Sequence, residues 1–144
     1  IGLGIPAEPL FRSASIAGMG FNTSIYIWDR KKRVLKVIKE AHRNQVQSVK
    51  FNSSGDLLVS TSIDKTIKVW NIASGICLMT FYGHTNEVKK AAFSKDKEHI
   101  ISISSDNTIR IWDFPPLQKL INDTQTRFKN RELTPEEKKK YYLE

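Results

Sequence analysis

The sequence is poor in the residues and segments that mark several classes of protein. It has one cysteine, Cys77, in 144 residues, so it has no disulfide framework of the kind that small secreted domains use. No stretch reaches the roughly 18 consecutive apolar residues of a membrane-spanning helix. Residues 1–11 lack the charged start and apolar core of a signal peptide. These absences favour a cytoplasmic protein without a membrane span, in which Cys77 is a small buried hydrophobic residue.

Signatures of cofactor and metal binding are also scarce. The IGLG sequence at residues 1–4 lacks the further glycine and the helix of a dinucleotide-binding loop. The three histidines have no cysteine or carboxylate partners at metal-ligand spacing, and His99 is expected at a solvated strand entrance. The sequence therefore predicts no cofactor and no metal.

What the sequence does contain is an internal repeat of 42 residues. Trp28, Trp70 and Trp112 each end a run of β-forming residues, IYIW, IKVW and IRIW. Further pairs of residues have the same offset: His42 and His84, Phe51 and Phe93, Ser60 and Ser102, Asp64 and Asp106. A repeat of this period indicates stacked supersecondary units.

One period reads as four short strands. The runs at 46–51, 57–63, 66–71 and 76–81 are rich in Val, Ile, Thr and Phe, and SSGD, DK and SG turn sequences separate them. Such a four-stranded antiparallel sheet is apolar on both faces, so it must pack between neighbouring sheets.

These features resemble the WD-repeat β-propeller family, over about residues 10–113. The matching features are the Gly83–His84 pair, a serine-bearing strand, an aspartate in the next turn and a closing Trp-Asp. The resemblance implies two structural tetrads of hydrogen-bonded side chains: His42, Ser60, Asp64 and Trp70, then His84, Ser102, Asp106 and Trp112. Blade one departs from the pattern, because Asn22, Gly18 and Pro9 stand at the aspartate, serine and phenylalanine positions, so no such tetrad is expected there.

The predicted fold is all-β, a partial β-propeller of about three four-stranded antiparallel blades with the last incomplete, followed by a short α-helical C-terminal tail. Blade one is expected at about 1–41, blade two at 42–83, blade three at 84–114 and the tail at 115–144. Closed propellers have about four to eight blades. We therefore expect the remaining blades to come from a longer protein or from another chain.

The tail carries helix signals after Pro115 and Pro116. Leu117, Leu120 and Ile121 have helical spacing, and Thr134 to Glu137 form a capping box. The segment from IWDFPPLQKL to RELTPEEKKKYYLE is similar to the C-terminal end of WD-repeat regions in bacterial multidomain proteins, which carry caspase-like, TIR or signal-transduction NTPase domains. The resemblance implies the C-terminal part of such a protein. The tail itself could cap the last blade, which we favour, or dock another domain.

The histidine, serine and aspartate of each tetrad are also the residue types of a hydrolase triad. Two copies at identical spacing indicate a scaffold instead, since a nucleophile needs one exposed position beside an oxyanion hole. The sequence therefore predicts no catalytic residues and a protein that is not an enzyme.

The main functional hypothesis is a scaffold or sensor module that binds a protein or peptide. Binding residues concentrate on connecting loops, and the resemblance points to the face that carries the loop into the innermost strand. Phe21 and Ile63 on this rim are a predicted apolar anchor pair. The candidate partner-binding residues are Phe21, Arg43, Asn44, Gln45, Ile63, Thr85, Asn86, Glu87 and Ser105.

Two alternatives remain open. The net charge is +8, and most of the excess lies in residues 30–50, where eight Lys or Arg face Glu40 alone. This cluster could bind nucleic acid or an anionic surface, or it could protect an exposed edge strand, which we favour because no aromatic residues interleave with it. The second alternative is a partial propeller completed by oligomerisation. The basic cluster consists of Arg30, Lys31, Lys32, Arg33, Lys36 and Lys39.

Overall fold

The computed structural model describes residues 13–18, 23–29 and 31–114, and within these ranges the chain forms ten β-strands and no helix. The strands are β1 (Ser13–Ala17), β2 (Ser24–Trp28), β3 (Val34–Ile38), β4 (Val46–Phe51), β5 (Leu57–Ser62), β6 (Ile67–Asn71), β7 (Cys77–Phe81), β8 (Val88–Phe93), β9 (His99–Ser104) and β10 (Ile109–Asp113). No described segment could cross a membrane as a helix.

The strands form three antiparallel sheets, which confirms the all-β prediction. The first sheet has the order β1-β2-β3, the second β4-β5-β6-β7 and the third β10-β9-β8. The four strands of the second sheet lie within one residue of the predicted boundaries. The predicted helical tail at 115–144 and the segment before Ser13, which contains Pro9, lie outside the described residues.

The turns repeat with the same period as the strands. Lys65 and Asn107, 42 residues apart, both have left-handed backbone conformations, with φ of 71° and 63°. Gly55 and Lys97 form a second such pair, with φ of 75° and 64°. The backbone therefore repeats even where the side chain differs, because the hairpin geometry requires a positive φ at that point.

The hairpin of the first sheet corrects one sequence assignment. Ser15 pairs with Tyr26, two residues before the tryptophan, as Ser60 pairs with Lys68 in the second sheet. The pair Ile16–Ile25 encloses the eight residues 17–24, whereas the equivalent pair Thr61–Ile67 encloses the five residues 62–66. The assignment of Gly18 to the serine position was therefore wrong, because the fixed 42-residue offset ignored a turn that is three residues longer.

Two apolar clusters hold the three sheets together. The first joins Ile25, Ile27 and Ile38 of the first sheet to Val46, Leu58, Trp70 and Ile72 around the second. The other joins Val59, Ile67 and Val69 of the second sheet to Val88, Ala91 and Ile100 of the third. The second sheet is therefore covered on both faces, and its strand β5 is buried without interruption from Leu58 to Ser62. The sequence predicts this burial, because a four-stranded sheet that is apolar on both faces must pack between neighbouring sheets.

One buried hydroxyl group in this core makes no hydrogen bond to a described residue. The Oγ1 atom of Thr61 is fully buried and has no hydrogen-bond partner among the described residues. A buried polar group without a partner costs about 1–3 kcal/mol. We expect Thr61→Val to raise the free energy of unfolding by about 1 kcal/mol in urea denaturation, whereas Ser60→Ala, which removes a hydroxyl bonded on both sides, lowers it. A Thr61→Val protein less stable than the wild type would contradict this account of the site.

Candidate functional site

The spacing that recurs in both repeats brings four side chains of each repeat into one hydrogen-bonded chain. In the second sheet, Trp70 Nε1 lies 2.8 Å from Ser60 Oγ, and that oxygen lies 2.7 Å from His42 Nε2. The other ring nitrogen of His42 lies 3.0 Å from Asp64 Oδ2. The third sheet repeats the arrangement, with distances of 2.8, 2.8 and 2.7 Å along Trp112, Ser102, His84 and Asp106.

The donors in this chain follow from the chemistry of the four groups. The indole N–H can only donate, and an ionised carboxylate can only accept. In a neutral His42 ring, the proton must therefore lie on Nδ1, facing Asp64. The Ser60 hydroxyl then donates a hydrogen bond to the unprotonated Nε2, and the Ser60 oxygen accepts a hydrogen bond from the Trp70 indole N–H. Every hydrogen bond of the chain therefore has its donor on the Trp70 side and its acceptor on the Asp64 side, and each buried polar group has a partner.

The aspartate at the end of each chain also holds two loops. Asp64 Oδ2 accepts the backbone N–H of Arg43 at 2.9 Å, and Asp64 Oδ1 accepts the N–H and hydroxyl of Thr66 at 2.9 and 2.6 Å. Asp106 makes the equivalent bonds to Thr85 and Thr108. Each carboxylate therefore fixes the loop into the innermost strand against the turn of the neighbouring hairpin.

Both carboxyl groups are held in the ionised form. Burial raises the pKa of Asp64, but hydrogen bonds from His42 and Thr66 outweigh burial and hold that pKa well below its ordinary value. Burial likewise raises the pKa of Asp106, and bonds from Thr108, His84 and the Thr85 backbone bring it far below the usual range. The ionised state of each aspartate is thus coupled to the folded arrangement of its loops.

The tetrad serines lack the access that a nucleophile needs. Ser60 and Ser102 are fully buried, and each oxygen is engaged by an indole on one side and an imidazole on the other. A substrate carbonyl has no approach to either hydroxyl in this arrangement.

Among the described residues of the first sheet, the tryptophan–serine hydrogen bond of the chain is present. Trp28 Nε1 donates to Ser15 Oγ at 2.8 Å, so the tryptophan–serine contact survives through the corrected serine position. Asn22 and Pro9, which the sequence places at the aspartate and phenylalanine positions, lie outside the described residues.

The predicted partner-binding residues lie in two equivalent pairs of adjoining loops. Ile63 donates its N–H to Gln45 O at 3.0 Å, and Ser105 donates to Glu87 O at the same distance. Bonds between each loop and the neighbouring turn thus bring the predicted residues of each repeat together. The side chains of Arg43, Gln45, Thr85 and Asn86 are exposed, those of Asn44, Ile63, Glu87 and Ser105 are half-buried, and Phe21 lies outside the described residues.

Several of these side chains serve the loops themselves. Asn44 Oδ1 accepts the Gln45 N–H at 2.7 Å, and Asn86 Oδ1 accepts the Glu87 N–H at 2.8 Å. The Glu87 carboxylate also accepts the Ser105 hydroxyl at 2.8 Å. The side chains of Arg43 and Thr85, at the start of each loop, are exposed and make none of these bonds.

The basic cluster is divided between paired and free cations. Arg33 forms a 2.7 Å ion pair with Asp29, and the Lys36 stem lies across the turn at Gly75, where an added Cβ would come within 2.7 Å of it. Lys31, Lys32 and Lys39 are exposed, and Arg30 lies outside the described residues. The described members of the cluster lie on the β2–β3 turn, in β3 and just after it, and β3 is an edge strand of the first sheet.

Two single-residue expectations need correction. Cys77 is half-buried rather than buried, because it begins the edge strand β7; its Sγ lies 3.5 Å from Met79 O. His99 is the first residue of β9 rather than a residue before it, and it is half-buried against Asp96, 2.8 Å from its Nδ1. Among the described residues, no group of His, Cys, Asp or Glu side chains has the arrangement of a metal site.

The sequence reading missed the threonines that complete each network. Thr66 Oγ1 lies 3.0 Å from His42 Nδ1, and Thr108 Oγ1 lies 3.3 Å from His84 Nδ1. These two threonines are themselves 42 residues apart, so the repeat contained the signal. Lys68 and Arg110, a further pair at this offset, lie over the rings of Trp70 and Trp112 at 5.5 and 5.9 Å.

Comparison with known proteins agrees with this geometry. The sequence pattern of the family described as "WD domain, G-beta repeat" matches residues 32–71 and 75–113, which is more than half of the chain. The chain belongs to that family. A 45-residue segment is 44% identical to a protein of Lotus japonicus named putative E3 ubiquitin-protein ligase LIN-1. The match covers 31% of this chain and 3% of that protein, so the two share only a short stretch.

The lowered aspartate pKa values predict an acid-dependent loss of stability. Because the folded-state pKa of Asp64 lies below its unfolded value of about 3.9, its contribution is complete above that pH and is lost as the pH falls toward the folded-state pKa. We expect Asp64→Asn to lower the free energy of unfolding at pH 7 by about 1–3 kcal/mol and to flatten its decline below about pH 4. Urea denaturation at several pH values measures both effects.

The matched control for this experiment is Asp113→Asn, because the Asp113 side chain is 93% exposed. It should leave the stability and its pH dependence close to those of the wild type. If Asp64→Asn and Asp113→Asn gave the same pH profile, the carboxylate of Asp64 would not be the stabilising group.

Proposed function

We propose that this chain is a non-catalytic interaction module that binds a protein or peptide on the rim formed by its two loop pairs. The proposal rests on the hydrogen bonds by which Asp64 and Asp106 hold the rim loops. Each carboxylate binds the backbone of a rim loop, at Arg43 and Thr85, and leaves the side chain of that residue exposed. The loops are thus held in place before any partner arrives, which reduces the entropy lost on binding.

The chemistry of the rim suits a polar, acidic segment. Arg43 supplies an exposed guanidinium, which binds carboxylates through two parallel hydrogen bonds. Gln45, Thr85 and Asn86 add exposed donors and acceptors, and Ile63, whose N–H is bonded to Gln45 O, offers a half-buried apolar contact. A peptide that carries a carboxylate beside an apolar side chain would complement this surface.

The proposal extends to the context of the module. The relative named as a putative E3 ubiquitin-protein ligase shares only a short stretch with this chain, which is consistent with WD repeats serving as one segment of a longer protein. The tail resemblance supports a bacterial multidomain protein of the caspase-like, TIR or signal-transduction NTPase kind, located in the cytoplasm. In such a protein the repeats would recognise a partner and position an attached domain.

Nucleic-acid binding by the basic cluster has weaker support. The Arg33 charge is already paired with Asp29, and Lys36 is half-buried against the Gly75 turn. Three exposed lysines remain among the described residues of the cluster. Lys31 and Lys32 lie on the β2–β3 turn, and Lys39 lies just after the edge strand β3. Charge at such an edge also prevents pairing with other strands.

Selection from a random peptide library tests the rim directly. Peptides selected on the wild-type chain should bind Arg43→Glu and Thr85→Glu variants at least about tenfold more weakly, because each substitution places a negative charge at an exposed contact of an acidic peptide while the backbone bond to the aspartate stays. A tenfold loss corresponds to about 1.4 kcal/mol. Fluorescence anisotropy with a labelled selected peptide measures the dissociation constants.

The matched control is Lys95→Glu, an exposed residue in the turn that follows β8, at the end of that strand opposite Thr85. This charge reversal should leave peptide binding unchanged. Equal loss in the control and the rim variants, or no loss in the rim variants, would refute the proposed rim.

A further inference from the structure

The outer edge of the second sheet is a strand without charge. β7 (Cys77–Phe81) ends the strand order β4-β5-β6-β7, and no other described strand pairs with its outer side. Residues 69–86, which include β7, contain no Lys, Arg, Asp or Glu, although 26% of the whole chain is charged. An edge strand presents unpaired backbone N–H and C=O groups, which proteins often protect with charged side chains. β7 lacks that protection.

Large apolar side chains are exposed along this edge. Ile76, Leu78 and Tyr82 are 62%, 51% and 74% exposed. The two faces of the second sheet are covered by the other sheets, and Cys77 and Phe81 of β7 pack on the two apolar clusters. The exposed apolar residues therefore belong to the outer edge of a sheet that has neighbours on both faces. We call residues 76–82 the β7 edge.

The first sheet shows how the same edge can be protected. Its edge strand β3 has the repeat position of β7, and Lys36 and Lys39 stand 42 residues before Leu78 and Phe81. Since β3 forms its strand with a lysine at the Leu78 position, an apolar residue is not required there for the sheet to form. The apolar, uncharged character of the β7 edge is therefore specific to the second sheet.

We propose that the β7 edge binds an extended segment of a partner protein, which adds an antiparallel strand to the second sheet. In this mode of recognition the main-chain hydrogen bonds give affinity, and the side chains at alternate positions give specificity. Exposed Ile76, Leu78 and Tyr82 select a segment with apolar side chains at alternate positions. The β7 edge shares no residue with the peptide-binding rim, so this site is independent of the rim.

Charge complementarity favours an acidic partner over a second copy of this chain. The Lys36 side chain lies at the turn that precedes the β7 edge, with its Nζ 3.5 Å from the place that a Cβ on Gly75 would take. The C-terminal end of an antiparallel added strand comes to this end of β7, so a carboxylate there would meet the Lys36 ammonium group. A second copy has no acidic residue in 69–86 to offer, and its own net charge of +8 opposes association.

The experiment selects peptides on a full-length chain whose rim is disabled by Arg43→Glu and Thr85→Glu. The selected peptides should have apolar residues at alternate positions and a carboxylate near the C-terminal end, and they should bind the wild-type chain equally well. Leu78→Lys, which gives β7 the residue that β3 has, should weaken their binding at least about tenfold. Lys36→Met should weaken it about threefold, as expected for the loss of one exposed ion pair. Fluorescence anisotropy measures the dissociation constants.

The matched control is Ile103→Lys, the introduction of the same charge at another exposed apolar residue. Ile103 is 46% exposed and lies in β9, the central strand of the third sheet, so it has no free strand edge to offer. This variant should bind the selected peptides as the wild type does. Circular dichroism checks that each variant is folded.

Amide hydrogen exchange shows whether a strand is added. In the complex, amides of residues 77–81 should exchange more slowly than in the free chain, because new backbone hydrogen bonds protect them, while those of the buried strand β5 should not change. No enriched peptide, no added protection in β7, or binding that Leu78→Lys leaves intact would overturn the proposal. A wild-type dimer in sedimentation equilibrium that Leu78→Lys dissociates would overturn it too, because a second copy would then occupy the edge. Each of these results leaves the rim proposal standing, since that is tested by other variants.

Discussion

The hydroxyl group of Ser60, and that of Ser102 in the next repeat, joins three parts of each structural unit. It accepts a hydrogen bond from the indole N–H of the tryptophan on the neighbouring strand, and it donates one to the histidine that precedes the innermost strand. Through that histidine it is linked to an aspartate, which holds the loop and the turn at one end of the sheet. A buried hydroxyl needs both partners to avoid the cost of an unmade hydrogen bond. The position of the rim loops therefore depends on an atom deep in the sheet.

The network operates only because the sheets cover one another. Trp70 is buried by the first sheet, and the ring of Trp112 lies 5.4 Å from that of Phe81 on the second. Exclusion of water strengthens the hydrogen bonds beneath these rings. Trp28, on the outer side of the first sheet, keeps its serine bond beside a shallow pocket. Ile109 and Ile111 of the third sheet have the sequence of a buried face, but no described sheet lies against them, and they are 69% exposed.

Much of this arrangement is predictable from the sequence, because the repeat carries the information twice. The strands of the second sheet follow from spacing and residue type, and the eight tetrad residues follow from the resemblance to the WD-repeat family. The Ser15 position does not, since a longer hairpin shifts the serine by three residues and no local signal marks the insertion. The half-burial of Cys77 also escapes the sequence, because a strand of apolar residues reads the same at an edge as in the centre.

The contrast between buried and exposed isoleucines shows most clearly where prediction from the sequence stops. IKV at 67–69 and IRI at 109–111 are nearly the same string at the same repeat position, yet Ile67 is fully buried and Ile109 is 69% exposed. Burial here is decided by whether another sheet is adjacent, which is a property of the assembly rather than of the segment. The sequence of the segment alone therefore does not tell which of the two faces is buried.

The most direct test of this account is the position of the imidazole proton in the two tetrad histidines. Long-range ¹H–¹⁵N correlation spectra, recorded at a pH where the rings are neutral, distinguish protonated from unprotonated ring nitrogens. A serine hydroxyl that donates to the ring and a carboxylate that accepts from it predict that His42 and His84 carry their proton on Nδ1, with Nε2 unprotonated. Rings protonated on Nε2, or tautomers in rapid exchange like those of a solvated histidine, would contradict the network on which the rim depends.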